Sequence, residues 1–296
     1  MTSPEPRRFL LAVDGSTHAD RAAEYLARNG PALAVGEVIV LNVQPLGRET
    51  YASSDDKLVR TVAELSAEAT AKARRLLSEA NIPYKPATEV GDAAQAIVHA
   101  AQEARADEIV LGRHGSNQLE RLVLGSVAYK VIHRAALPVT VVEPPPAAGA
   151  TPRSVASGVH RVLLPFDGSE QAKKAVDYVV GLGRGPLPFE VELFYAPMPF
   201  PSTVLPLREM VDAHYNEQGE IALRAAQDAL RSAGIRYTAR VVPGSPAEKI
   251  VEAAEEGNCA RIVMGTRGPG ALANVFLGSV AYRVVHLSPV PVTLVK

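Results

Sequence analysis

The sequence predicts two tandem α/β domains, each an open five-stranded parallel sheet with helices on both faces. Three observations carry that expectation: the chain repeats itself at a fixed displacement, each copy alternates short apolar runs with helix-period segments, and glycines cluster where strands would end. VDGS at 13–16 returns as FDGS at 166–169, and GRHG at 112–115 returns as GTRG at 265–268. LGSVAY at 124–129 returns at 277–282, and PVTVV at 138–142 returns as PVTLV at 291–295. Every pair is displaced by 153 positions, so the copies align from Phe9 onward without a gap. From Gly91 to Val142 about half of the positions are identical to their partners, which marks a duplicated domain rather than a solenoid. The length of 296 residues allows two domains or one large one, and the repeat decides for two.

In the first copy RFLLAVD (8–14) is a short apolar run ending in a turn signal, as a buried parallel strand requires. Residues 18–29 read as a helix and GEVIVLNV (36–43) as a second buried strand. Leu58, Val62, Leu65, Ala69, Ala73 and Leu76 recur at spacings of three and four, predicting one apolar face of a long helix. Then follow a strand at 84–90, a helix at 93–104, a strand at 108–111, a helix at 125–133 and a strand at 139–142. The second copy places strands near 161–166, 190–195, 236–242, 261–264 and 292–295. Strict alternation with right-handed crossovers leaves little but a parallel sheet covered on both faces.

Between the copies lies EPPPAAGATPRSVASG (143–158), stiff at its proline start and flexible after it. The expected division is a first domain at 1–144, a linker at 145–159 and a second domain at 160–296. With 47% apolar residues the composition is that of a folded protein, and the net charge of −1 argues against a nucleic-acid binder. The single cysteine, Cys259, permits neither an internal disulfide nor a cysteine zinc site, and its place before a buried strand reads as packing. No stretch approaches the roughly 18–20 apolar residues of a membrane span, and the run Phe9–Val13 is too short for a secretory signal. The sequence-based expectation is a cytoplasmic protein without membrane insertion.

The glycines carry the chemistry. Gly112 and Gly115 are followed by Gly125 and Ser126, and Gly265, Gly268, Gly278 and Ser279 repeat that spacing. Gly112 would end the fourth strand and Gly125 would open the next helix, placing the loop at the carboxyl edge where open α/β sheets bind ligands. Glycines there let backbone N–H groups form an anion nest, and the helix adds its unpaired donors and positive dipole end. The Ser126 hydroxyl either caps that helix or binds phosphate. Asp14 and Asp167 each precede their glycine loop by 98 residues and would share its crevice, although D-G-S is also ordinary turn and cap chemistry.

This constellation, a strand-one D-G-S turn followed by G-x2-G-x9-G-[ST], resembles the ATP-binding branch of the universal stress protein family. The resemblance covers nearly the whole chain in two copies and implies an adenine nucleotide α-hydrolase-like, Rossmann-like fold. It also implies one ATP or other adenine nucleotide per domain, accompanied by Mg²⁺ or Mn²⁺. Asp14 and Asp167 would then contact adenine or ribose, Ala12 and Pro165 would line the base, and Val43 and Ala196 would contact adenine. Gly112, Gly115, Gly125, Ser126 and Val127 would hold ribose and phosphates in the first domain. Gly265, Gly268, Gly278, Ser279 and Val280 would do so in the second. The resemblance further implies intrachain pairing of the domains through Val139–Val142 and Val292–Val295, and a homodimer built from a second chain.

The loops differ between copies. Arg113 and Arg267 read as phosphate counter-charges or solvated loop arginines, and His114 as a solvated histidine with no second metal ligand at useful spacing. Pro269 removes one N–H from the second nest, which favours the first site. His133 and His286 stand at helix C-termini and read as structural. PMPFPSTVLP (197–206) is apolar for a loop and reads as a lid, a partner surface or a packed connection. No Walker lysine, paired carboxylates or Ser/His/Asp set accompanies the glycines, so the expectation is a regulatory nucleotide binder in a stress response, with any ATP hydrolysis or autophosphorylation incidental. The alternatives are a partner-binding scaffold with vestigial pockets and, behind it, a slow ATPase or nucleotidyltransferase on the same scaffold.

Overall fold

A computed structural model describes residues 6–45, 55–115, 124–143, 159–183, 189–199, 208–268 and 277–296, with backbone alone at 55–58, 208–214 and 216. The chain divides into two compact units, Met1–Pro144 and Pro145–Lys296. The linker segment 145–158 and most of the 197–206 loop lie outside the described residues.

The first unit runs β1 (Arg7–Ala12), α1 (Thr17–Asn29), β2 (Val35–Gln44), α2 (Asp55–Glu79), β3 (Tyr84–Val90), α3 (Ala93–Glu103), β4 (Glu108–Gly112), α4 (Ser126–Arg134) and β5 (Val139–Val142). All its strand pairs are parallel, in the order β3-β2-β1-β4-β5, and helices cover both faces. The order reverses at β1, which has β2 on one side and β4 on the other. That reversal creates the crevice into which the β1 and β4 ends open. Phe9, Leu10, Leu11, Ile109 and Val110 have no exposed surface, which is why their runs read as unbroken apolar rather than alternating.

The second unit repeats the plan with β6 (His160–Pro165), α5 (Glu170–Leu182), β7 (Phe189–Tyr195), α6 (Arg208–Ser232), β8 (Arg236–Val241), α7 (Pro246–Glu256), β9 (Arg261–Gly265), α8 (Ser279–Leu287) and β10 (Val292–Val295). Its parallel order is β8-β7-β6-β9-β10. Cys259 is fully buried just before β9, and burial pushes its thiol up to about 12. No helix among the described residues is long and apolar enough to cross a membrane.

One element differs in phase from its expectation. The buried face of α2 is Ser66, Thr70, Ala73 and Leu77, while Leu65 is 47% exposed. Two hydroxyls inside the stripe hid it from an apolar count. Ser66 and Thr88 share a hydrogen bond of 2.7 Å, and the Thr70 hydroxyl donates to the Ser66 carbonyl at 2.7 Å, so both are satisfied where they are buried.

Candidate functional site

Each unit builds its site from the turn after its first strand. Gly15 and Gly168 both have φ of +80°, a left-handed conformation that a side chain would strain. The turn lets Oδ1 of Asp14 accept from the Ser16 N–H, and Oδ1 of Asp167 from the Ser169 N–H, each at 3.0 Å. Ser16 and Ser169 in turn accept from the Ala19 and Ala172 N–H groups at 3.2 Å, capping α1 and α5. Turn and cap chemistry therefore accounts for one carboxylate oxygen of each aspartate. The other approaches the glycine loop: a Cβ on Gly115 would come within 2.9 Å of Asp14 Oδ2, and one on Gly268 within 2.8 Å of Asp167 Oδ2.

The remaining glycines divide their duties. A Cβ at Gly112 would meet the His18 backbone at 2.7 Å, and one at Gly265 would meet Gln171 at 2.7 Å. These two glycines let α1 and α5 pack against β4 and β9. Gly125 donates to the Arg113 carbonyl at 2.9 Å and Gly278 to the Thr266 carbonyl at 2.8 Å, closing each loop at its base. Gly125 and Gly278 are also the N-caps of α4 and α8, with no side-chain cap. Ser126 and Ser279 are therefore the first helical residues, and capping, one of the two roles read for Ser126, is not what its hydroxyl does. Among the described residues no side chain caps these helix starts, whose first N–H groups and positive dipole end suit an anion.

In the second unit these parts enclose a cavity of about 580 Å³. The nine second-copy residues expected at the ligand all line it: Pro165, Asp167, Ala196, Gly265, Arg267, Gly268, Gly278, Ser279 and Val280. The rest of the wall is mostly apolar, from Phe166, Phe194, Tyr195, Met198, Pro246, Ile250 and Met264. The volume falls in the range of roughly 300–1,000 Å³ usual for small-molecule sites. Burial, and then the neighbouring Asp167 carboxylate, hold the Tyr195 phenol above its ordinary pKa. Lys296 is held below its ordinary pKa by burial first and by the nearby Arg267 charge second, and Arg267 itself lines the cavity. Pro269 lies outside the described residues.

The first unit places Ala12 at the end of β1 and Val43 near the end of β2, on the same edge as Asp14, Gly115, Ser126 and Val127. Its loop arginine departs from the expectation. Arg113 is buried, with its Nε 2.7 Å from a Glu143 carboxylate oxygen, so its charge is met inside the unit rather than presented to a phosphate or to solvent. His114 is likewise buried instead of solvated, accepting from Arg113 Nε at 3.2 Å and packing edge-on against His18 at 5.0 Å. The expectation of no second ligand for His114 fails with it, because His18 and Glu143 offer donor atoms within 4.8 Å of one another and of His114.

The sequence reading missed Tyr195, Met264, Ile250 and Lys296. A signal existed for three of them. Tyr195 precedes Ala196 at a strand end, Met264 precedes Gly265, and Ile250 stands on the first turns of the helix after β8; a wall is built from such positions in any open α/β sheet. Lys296 had none, since its meeting with Arg267 depends on the β9/β10 register.

Comparison with known proteins bears on the family and the fold. The sequence model of the universal stress protein family matches residues 5–143 and again 158–296. A universal stress protein of Mycobacterium tuberculosis is 27% identical over 314 aligned positions, covering all of this chain and 99% of that one. A universal stress protein of Methanocaldococcus jannaschii is 31% identical over 141 residues, 46% of this chain and 81% of its own. Among solved structures, a universal stress protein from Archaeoglobus fulgidus superposes with a TM-score of 0.70 at 24% identity, over 98% of this chain and 96% of that one, which shows the fold.

Proposed function

The chain belongs to the universal stress protein family, and from that membership and the site geometry we propose that it is a regulatory binder of adenine nucleotides, ATP foremost. The observation that carries this reading is the second-unit cavity, where a mostly apolar wall for a base adjoins Asp167, a glycine cradle, a helix start without a side-chain cap and the Arg267 cation. The glycine cradle fits phosphate, because a Cβ at Gly268 would crowd the space that Asp167 Oδ2 overlooks. Gly268, Ser279 and Val280 would hold ribose and phosphates through backbone donors, Gly265 and Gly278 would allow the close approach, and Arg267 would supply countercharge. Pro165, Ala196 and Tyr195 would receive the base, and Asp167 the ribose or base edge. Mg²⁺ or Mn²⁺ would arrive on the phosphates.

The first unit would use Ala12, Asp14, Val43, Gly112, Gly115, Gly125, Ser126 and Val127 in the same way. It does so without a free countercharge of the Arg267 kind, since Arg113 is paired with Glu143. Of the two sites the geometry favours the second, reversing the preference that Pro269 suggested. The reading is one of binding rather than turnover, because the described lining offers a single carboxylate and its Oδ1 is engaged by the Ser169 N–H. A stress-regulatory role follows from binding alone: occupancy changes what the protein contacts.

Denaturing the purified chain and chromatographing what it releases tests the proposal. Between one and two adenine nucleotides per chain are expected, together with a thermal shift on adding Mg-ATP to stripped protein. No released nucleotide and no shift would overturn it.

A further inference from the structure

We propose that the first unit carries a transition-metal site made by His18, His114 and Glu143, able to take one divalent ion such as Zn²⁺ and separate from any magnesium carried by phosphates. The three residues come from three neighbouring elements at the carboxyl edge of the sheet. His18 is the second residue of α1, and α1 lies so close to β4 that a Cβ on Gly112 would touch His18 Cβ at 2.7 Å. His114 stands two residues past the end of β4, and Glu143 one residue past β5, whose register sets Gly112 opposite Val142. Their ligating atoms all lie within 4.8 Å of one another. Zinc bonds of about 2.0–2.1 Å in a tetrahedral site set donor atoms roughly 3.4 Å apart, a closure that side-chain rotation supplies.

The donor set chooses the class of ion. Two imidazoles and one carboxylate suit Zn²⁺ and its first-row neighbours, whereas Mg²⁺ and Ca²⁺ prefer all-oxygen shells. The cluster is also built for a cation. Arg113 already lays its guanidinium there, with Nε on both Glu143 and His114, so a metal ion takes the place of a resident positive charge rather than entering neutral packing. Burial of His114, and of Arg113 beside it, limits competition from water.

The duplication supplies an internal comparison. At the positions 153 residues on, His18, His114 and Glu143 are replaced by Gln171, Arg267 and Lys296. Two of these are cations and none is an imidazole or carboxylate, so the site exists once per chain. The two copies have diverged at these three positions, toward metal donors in the first and toward cationic side chains in the second.

The test uses the full untagged chain, stripped with chelator, and Zn²⁺ alone as the probe, titrated against a chromophoric chelator. One ion per chain is expected, unaffected by millimolar Mg²⁺, and Co²⁺ in its place gives the visible absorption of a tetrahedral N/O site. His114→Gln and, independently, the half-buried His18→Gln should each weaken binding at least tenfold. Failure to bind Zn²⁺ stoichiometrically, or binding unchanged in both variants, overturns the proposal. Because no nucleotide enters the experiment, its result is independent of the nucleotide reading.

Discussion

Gly268 stands so close to Asp167 that a Cβ at position 268 would lie 2.8 Å from the carboxylate's Oδ2, and Gly115 repeats the relationship with Asp14 at 2.9 Å. The carboxylate has little freedom to yield, since its other oxygen is held by the Ser169 N–H at 3.0 Å. A side chain at 268 must therefore displace Asp167 or fill the cavity. Gly268→Val is expected to weaken adenine-nucleotide binding at the second site at least tenfold while leaving the far-ultraviolet circular dichroism unchanged. Calorimetric titration of ATP into the variant checks both the loss and its magnitude.

Arg267, in the cavity lining, supplies a second prediction. Burial first and the nearby Arg267 charge second hold Lys296 below its ordinary pKa, and an anion bound beside Arg267 offsets that second, repulsive contribution. Arg267→Gln should weaken ATP far more than adenosine, and should flatten the salt dependence of ATP binding. Equal losses for nucleotide and nucleoside would place Arg267 away from the phosphates.

His160 gives a pH signature. Burial first, and Arg261 second, hold its imidazole at about 3 against the ordinary 6.5, and it stacks on Phe189 at 5.8 Å. The folded state keeps His160 neutral while the unfolded chain protonates it, so the unfolded state binds more protons throughout that window. Stability is full above pH 6.5 and falls toward pH 3 as acid rises. The slope from this one group approaches about 1.4 kcal/mol per pH unit. His160→Phe, which keeps a ring against Phe189, should flatten that part of the curve in urea melts taken at several pH values.

Cys259 should be silent toward thiol reagents in the native protein. Its pKa of about 12 and complete burial leave no reactive thiolate at pH 8. Labelling should appear only with unfolding, and its onset in denaturant should coincide with the loss of helical signal.

Much of this molecule is readable before any coordinates exist. The repeat fixes the number of units, the buried runs fix β1, β4 and β5, and D-G-S with the glycine spacing fixes which edge of the sheet carries the loop. Each of these depends on residues near one another in the chain or on comparison between the copies. What stays hidden depends on pairings set by tertiary packing. Arg113 meets Glu143 only because β4 and β5 are in a particular register, and His18 meets His114 only because Gly112 lets α1 press against β4. An arginine in a glycine loop looks like a phosphate ligand until its counterion is found thirty residues away. The α2 face hides for a related reason: Ser66 and Thr70 look polar, and it is their partners, Thr88 and the Ser66 carbonyl, that make them buriable.

The most direct measurement is titration of nucleotide-stripped protein with Mg-ATP, Mg-GTP and adenosine, in wild type and in Gly268→Val. The account predicts saturable ATP binding, discrimination against GTP by the wall around Tyr195 and Ala196, and loss of the second-unit site in the variant. Absence of saturable ATP binding in the wild type, or an unchanged isotherm in Gly268→Val, would contradict it.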